Sequence, residues 1–286
     1  MTSDQPRPRH PHRRRLRWLL RTLLLGLLAL ALVAGMSWYE VTHTRVERVE
    51  LQHQKITGRP LKVLQITDLH NVAMPQRDQI VELARQQEPD LIAITGDLVN
   101  TTTTDLSRID AWLGQLMTLG LPVYAVPGNH DHHRRDGVGP VLEMLEGHRI
   151  PVLTNRHVAF DGDWGRVDLV GTDDYYAEQG DLPRAMRGTR EDAFQLVLTH
   201  SPQIFDDLAN SSAELAICGH THGGQVRIPG VGAIHIPGAE GLFPRLDKGL
   251  FQAGSAQLYI DSGVGQTVPL RLFTPSQITL LTLAPS

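Results

Sequence analysis

Three short apolar runs, residues 61–67, 91–95 and 122–126, each stop at a small cluster rich in Asp, His, Asn or Gly. Between them lie two stretches with helical periodicity. Residues 78–87 turn Ile80, Val81, Leu83 and Ala84 to one side, and residues 106–119 follow Asp105, a capping residue type, and stop at Gly120. A strand–helix–strand–helix–strand series of this kind implies parallel strands buried on both faces. Val46, Val49 and Leu51 mark a leading strand, and the second half adds candidates at 167–170, 195–198, 215–218, 226–228, 257–260 and 278–283. The chain is therefore expected to be α/β, a two-sheet βαβ sandwich with flanking helices.

The polar clusters share one position, just after a strand. Thr67-Asp68-Leu69-His70 follows the first run, Thr95-Gly96-Asp97 the second and Pro127-Gly128-Asn129-His130-Asp131 the third. Thr199-His200 and Gly219-His220-Thr221-His222-Gly223-Gly224 follow two later strands. Ligands of α/β sheets sit beyond the carboxyl ends of strands, so the five loops should converge on one crevice. Taken singly, each cluster has an ordinary reading. Asp97 can cap a turn, Asn129 can supply a left-handed residue, and His200 can be a hydrogen-bonded core histidine. Glycines around His220 and His222 leave little packing reason for two imidazoles. Five clusters in one order make a metal-binding crevice the economical reading. The lone Cys218 excludes a disulfide framework and a multi-thiolate metal site, and reads as a small buried residue.

The first forty residues form a separate unit. Arg7, Arg9, Arg13, Arg14, Arg15 and Arg17 precede an uncharged apolar run from Thr22 to Tyr39, with Trp18 at one end and Trp38 at the other. Eighteen such residues can span a bilayer, and the aromatics sit where a membrane interface is expected. A cleaved signal peptide is the alternative, but its small residues Ala29 and Ala31 lie in the middle of the run. The flanks match a twin-arginine export signal poorly. The expected division is a basic tail over 1–17, a transmembrane anchor over 18–39 and a catalytic domain over 41–286. The basic flank should stay cytoplasmic, which puts the catalytic domain outside.

Residues 1–21 hold seven of the 27 basic side chains and one of the 31 acidic ones, so the remainder is 20 against 30, a net charge of −10. A body that acidic lacks the basic surface that nucleic acid requires.

Through Asp68-x-His70, Gly96-Asp97, Gly128-Asn129-His130-Asp131, His200 and Gly219-His220-Thr221-His222, the chain resembles the calcineurin-like metallophosphoesterase superfamily over residues 45–283. The ending Gly-His-Thr-His-Gly-Gly-Gln at Gln225 is similar to membrane-associated bacterial members. These include exported phosphodiesterases and an alternative UDP-2,3-diacylglucosamine hydrolase of lipid A synthesis. Asn71-Val72 departs from the Leu-Gly pair common in the family.

The resemblance implies a hydrolase of phosphodiesters or pyrophosphates that uses metal-bound hydroxide and two divalent ions. Asp68, His70 and His222 would hold one ion, Asn129, His200 and His220 the other, and Asp97 would bridge them. Two ions about 3.5–4 Å apart can share a hydroxide and clamp both oxygens of an in-line displacement. Mixed O/N donors suit Mn²⁺, Fe or Zn²⁺. The family pattern makes His130 the proton donor to the leaving oxygen, with Asp131 orienting its ring; a helix cap is the competing role for Asp131. The substrate would be a phosphate ester, with a lipid-linked one suggested by the anchor and the subgroup. A phosphomonoesterase, or a non-catalytic metal-binding module on the same scaffold, are the alternatives. The Gly- and Pro-rich stretch 230–256, with Leu242, Phe243, Leu250 and Phe251, should fold back onto the core rather than cover the site.

Overall fold

The computed structural model describes residues 11–70, 72, 74–236 and 241–286. The first ten residues of the basic tail, with Arg7 and Arg9, and Asn71 lie outside that set. One sheet runs in the order β1-β13-β2-β3-β4, from β1 (Arg45–Gln52), β2 (Leu61–Ile66), β3 (Leu91–Thr95), β4 (Val123–Val126) and β13 (Gln277–Ala284). The other is formed by β5 (Arg156–Ala159), β6 (Val167–Gly171), β7 (Phe194–Leu198), β8 (Leu215–Cys218), β11 (Gly249–Ala253) and β12 (Ala256–Ile260), ordered β11-β12-β8-β7-β6-β5. A short hairpin, β9 (Arg227–Ile228) and β10 (Gly232–Ala233), stands apart.

The period-two pattern of the central strands builds the layers. In β2 and β3, Leu61, Val63, Leu91 and Ala93 face the second sheet, whereas Leu64, Ile66, Ile92 and Ile94 face the outer helices. Those helices are α2 (Met74–Gln87) and α3 (Ser107–Met117); α3 buries Ile109, Trp112, Leu113 and Leu116 at helical spacing. In β7 and β8 the inter-sheet residues are Leu196, Leu198, Leu215 and Ile217, while Val197, Ala216 and Cys218 meet a third apolar cluster. The two-sheet sandwich expected from the strand pattern is thus present. The parallel pairings β2–β3 and β3–β4 follow from the two crossover helices.

Some expectations shift. Helix α2 starts about one turn before Asp78, and β9 keeps two residues of the strand expected over 226–228. The edge strands β5 and β11 escape the pattern because most of their residues are only half-buried or exposed, which leaves no continuous apolar run. The stretch 230–256 departs further: Leu242, Phe243 and Leu250 are exposed rather than folded onto the core, and only Phe251 of the four packs there.

Helix α1 (Pro11–Thr42) is long and apolar enough over Arg15–Thr42 to cross a membrane. Its leucines are exposed until Ser37, which is buried against the body.

Candidate active site

All five loops after β2, β3, β4, β7 and β8 meet at the strands' carboxyl ends. Short α4 (Asn129–His132) begins in the β4 loop. Glycines allow the approach: a Cβ on Gly219 would collide with the Asp68 carboxylate, and one on Gly128 with that of Asp97. Five of the seven candidate metal ligands, Asp68, His70, Asp97, His220 and His222, hold positive φ between 46° and 70°. Left-handed backbone costs a non-glycine residue about 1–2 kcal/mol. Such strain survives only where surrounding contacts fix it, a pattern concentrated at functional sites.

Hydrogen bonds behind the rings decide which nitrogens face inward. His200 Nδ1 is 2.8 Å from the carbonyl of Thr95, which can only accept, so the proton sits there and Nε2 carries a lone pair. Nε2 lies 3.2 Å from Asp97 Oδ2 and 3.0 Å from Asn129 Oδ1. His70 Nδ1 donates to Asn100 Oδ1 at 2.8 Å, and Asn100 Nδ2 donates to the His70 carbonyl, which fixes the amide's orientation. His70 Nε2 is left buried and without a hydrogen-bond partner among the described residues, 3.7 Å from Asp68 Oδ1 and 3.6 Å from Asp97 Oδ2. His222 Nε2 lies 3.7 Å from Asp68 Oδ1, and His220 Nδ1 lies 2.8 Å from Asn129 Oδ1. Fixing one ring nitrogen so that the other is free is the usual support of a metal-ligating histidine.

The donors group as three overlapping triads: Asp68–His70–His222, Asp68–Asp97–His200 and His70–Asp97–His130, each with its ligand atoms within 4.8 Å. Asp68 and Asp97 each belong to two. Asn129 Oδ1, His200 Nε2 and His220 Nδ1 also converge. Buried His70 Nε2 and Asp97 Oδ2 make no hydrogen bond among the described residues and need a cation or a proton between them. This donor set of carboxylate, amide and imidazole fits divalent ions of the Mn, Fe or Zn type.

The electrostatics make the same demand. Burial opposes ionisation of Asp68 and Asp97, but the surrounding imidazoles outweigh it and hold both carboxyls below the usual range. Burial likewise opposes an imidazolium at His200, and the carboxylates overcome it and raise its pKa, so the pocket calls for a positive charge at Nε2 that a proton supplies and a bound cation would replace. Burial pushes His220 down to about 4 and His222 down to about 3, leaving both neutral with lone pairs available.

His130 is half-buried, its ring edge-on to His70 at 4.7 Å, and its Nδ1 has no partner among the described residues. Its backbone N–H donates to Asp97 Oδ1 at 2.8 Å. The expectation that Asp131 orients the His130 ring is corrected. Its carboxylate instead accepts from the backbone N–H groups of Gly128 and Asp97 at 2.9 Å and of Val99 at 3.4 Å. It caps α4 and ties the β3 loop to the β4 loop. The physical reason is reach, since three converging N–H donors outcompete one neighbouring imidazole for a buried carboxylate.

Three contributors escaped the sequence reading. Asn100 was visible only as a polar residue three places after Asp97. Tyr176, on the loop after β6, lies 4.9 Å from the His220 ring. The turn at Gly263 packs on Asp68, and Gly265 N–H donates to the Asp68 carbonyl at 2.6 Å; Asp261, whose carboxylate accepts from Gly263 N–H, was its one polar signal.

Residues 61–224 match the calcineurin-like phosphoesterase family. The phosphodiesterase YaeI of Escherichia coli is 32% identical over 254 residues, covering 86% of this chain and 89% of that protein. A metallophosphoesterase of Helicobacter pylori is 31% identical over 237 residues, covering 79% of this chain; the chain spans 60% of that relative's length. Among solved structures, a dimetal phosphatase from Danio rerio aligns at a TM-score of 0.47 and 13% identity, over 79% of this chain and 99% of that one.

Proposed function

The chain belongs to the calcineurin-like phosphoesterase family, and from that premise we propose that it hydrolyses a phosphodiester or pyrophosphate at a two-metal centre. Asp68, His70 and His222 would hold one divalent ion, Asn129, His200 and His220 the other, with Asp97 between them. The observation that carries this reading is the set of lone pairs turned inward by the bonds of His200 to Thr95 and of His70 to Asn100. Bound there, divalent ions would neutralise phosphate charge and acidify a water.

The chain's own residues supply the rest. Asn129 offers a neutral oxygen, so the site keeps positive charge for an anionic substrate once cations bind. Burial holds the His130 pKa below its ordinary value. An arriving phosphate raises it, and His130 then delivers a proton to the leaving oxygen. Exposed Tyr176 borders the centre and can flank the leaving group. The acidic body disfavours a polynucleotide and suits a small substrate.

The same proposal places α1 across the cell membrane as a single span, with the basic end cytoplasmic and the body outside. Its support is the apolar length of α1 and the arginines before it. A lipid-linked phosphate ester is the substrate class that such an anchor would favour. UDP-2,3-diacylglucosamine fits that class but is made in the cytoplasm, so an outward body favours an envelope phosphodiester instead.

The test is hydrolysis of bis-p-nitrophenyl phosphate by the full chain in detergent, metal-stripped and resupplied with Mn²⁺, beside Asp97→Ala and His130→Ala. Metal-dependent turnover lost in both variants supports the proposal. Turnover of p-nitrophenyl phosphate alone would mean a monoesterase, and none with any metal would refute hydrolysis at this centre.

A further inference from the structure

The loop of residues 266–276 carries three exposed apolar side chains within six positions, Val268 (57% exposed), Leu270 and Phe273 (53%). Exposed apolar clusters of this kind mark contact surfaces. The loop is fastened to α1 at three points. Arg271 N–H donates to Ser37 Oγ at 3.2 Å, Thr274 N–H to Glu40 Oε2 at 3.2 Å, and Ser276 N–H to the Glu40 carbonyl at 2.8 Å. Beside it stands the β9–β10 hairpin, tied to the loop by Arg227 N–H to the Leu272 carbonyl and Leu272 N–H to the Gln225 carbonyl. Loop, hairpin and helix end enclose a cleft of about 580 Å³ lined by Ile228, Val231, Phe273, Arg45, Arg227 and Glu40, among others. Val231 at the hairpin tip is 64% exposed.

We propose that this face is a second membrane contact, in which Val231, Val268, Leu270 and Phe273 seat in the lipid–water interface beside the anchor. The occupant is set by level along α1. Ser37, which holds the loop, is next to the exposed Trp38 and Tyr39, the aromatics that mark the interfacial zone of a spanning helix. A loop hydrogen-bonded at that level cannot stand clear of the headgroups. The cleft's rim agrees, since its apolar side chains suit acyl carbons, while its arginines are held in ion pairs, Arg227 with Asp247 at 2.9 Å and Arg45 with Glu47 at 3.1 Å. The proposal rests on α1 crossing the bilayer and not on the hydrolytic reading. Its consequence is orientation, because two contacts, unlike a single helix, fix which way the metal-site crevice faces the lipid.

The test uses the full chain in phosphatidylethanolamine–phosphatidylglycerol vesicles, with an environment-sensitive fluorophore on a single introduced cysteine. Native Cys218 is fully buried and out of reach of the reagent. Positions are Val231→Cys and Phe273→Cys on the face, Leu28→Cys within α1, and Glu146→Cys on an outer helix at the β4 edge, away from the anchor. A lipid-borne nitroxide should quench the labels at 28, 231 and 273 and leave that at 146 unchanged, while aqueous iodide does the reverse. Quenching at 28 with iodide-accessible labels at 231 and 273 overturns the docking face and leaves the span standing. Shielding of 231 and 273 from both quenchers also overturns it, in favour of a second copy on that face. An iodide-accessible label at 28 removes the span, and the docking face with it.

Discussion

Removing the Asp131 carboxylate should unfold the molecule more readily than it silences one catalytic group. Asp131→Ala leaves the buried N–H groups of Gly128 and Asp97, each now bonded at 2.9 Å to Asp131 Oδ2, without a partner. A buried donor so stranded costs about 1–3 kcal/mol, so the pair predicts a loss of about 2–6 kcal/mol. The longer contact from Val99 at 3.4 Å adds little. At about 2–4 °C per kcal/mol for a domain of this size, the thermal midpoint falls by roughly 10 °C. Asp131→Asn is the discriminating companion. Both strong bonds go to the same oxygen, so an amide with its oxygen in that place keeps them and loses only the Val99 contact. Most of the stability should return. His130→Ala, by contrast, removes a half-buried ring whose Nδ1 has no partner among the described residues. It should shift the midpoint by less than about 4 °C while lowering turnover about 10²–10⁴-fold. Differential scanning fluorimetry of the detergent-solubilised chain, beside turnover of bis-p-nitrophenyl phosphate, reads both quantities. If Asp131→Ala melts with the wild type and loses turnover as His130→Ala does, Asp131 acts through the histidine and the capping argument is wrong.

Three further outcomes follow from the same contacts. Chelating the metal-loaded chain should lower its midpoint, since each ion present at a hundred times its Kd adds about 2.7 kcal/mol; an unchanged midpoint would mean no cation sits between Asp68 and Asp97. Gly263→Ala should cost about 1–3 kcal/mol and weaken Mn²⁺ binding measured by titration calorimetry, because φ there is +69° and the new Cβ would stand 2.6 Å from that of Asp68; wild-type affinity would show that the turn does not position Asp68. Burial pushes the Lys248 amine down to about 8, against the attraction of Asp261. Its unfolded form holds a proton that the folded form releases between pH 8 and its ordinary value near 10.4. Stability contributed by this group therefore rises with pH through that window, by up to roughly 3 kcal/mol. Lys248→Met should flatten that rise in denaturant midpoints measured at pH 8 and pH 10, and an unchanged slope would assign the rise to other groups.

What could be read from the sequence divides along physical lines. β2, β3, β7 and β8 are buried on both faces, so they appear as unbroken apolar runs whatever their neighbours. Asp68, Asp97, Asn129 and the four histidines stand out because their chemistry is rare at strand ends. By contrast, β1 pairs with β13 across more than two hundred residues, and nothing local encodes that partner. Asn100, Asp131 and Gly263 act through hydrogen bonds or close approach to backbone that only the assembled crevice supplies. Leu242 and Phe243 differ from expectation because apolar residues favour the core on average, whereas in this segment Leu246 and Phe251 take the places against the core and these two stay exposed.

The segment of residues 262–276 links two parts of the molecule that the sequence presents as unrelated. Its first turn lies against Asp68, with Val264 N–H on the Thr67 carbonyl and Gly265 N–H on that of Asp68. Its last residues hold Ser37 and Glu40 of α1. Arg271 joins the halves: its guanidinium, wholly buried, donates to the carbonyls of Ser262, Gly263, Gly265 and Thr274. A buried cation with only carbonyl partners is costly, and burial drives its pKa down to about 10. That cost is borne because four backbone acceptors from both ends of the segment share one donor group. Neither end can then shift without breaking charge-assisted bonds. The candidate metal centre is consequently rigid with respect to the helix end, and a tilt of the body on α1 would have to distort the turn that seats Asp68.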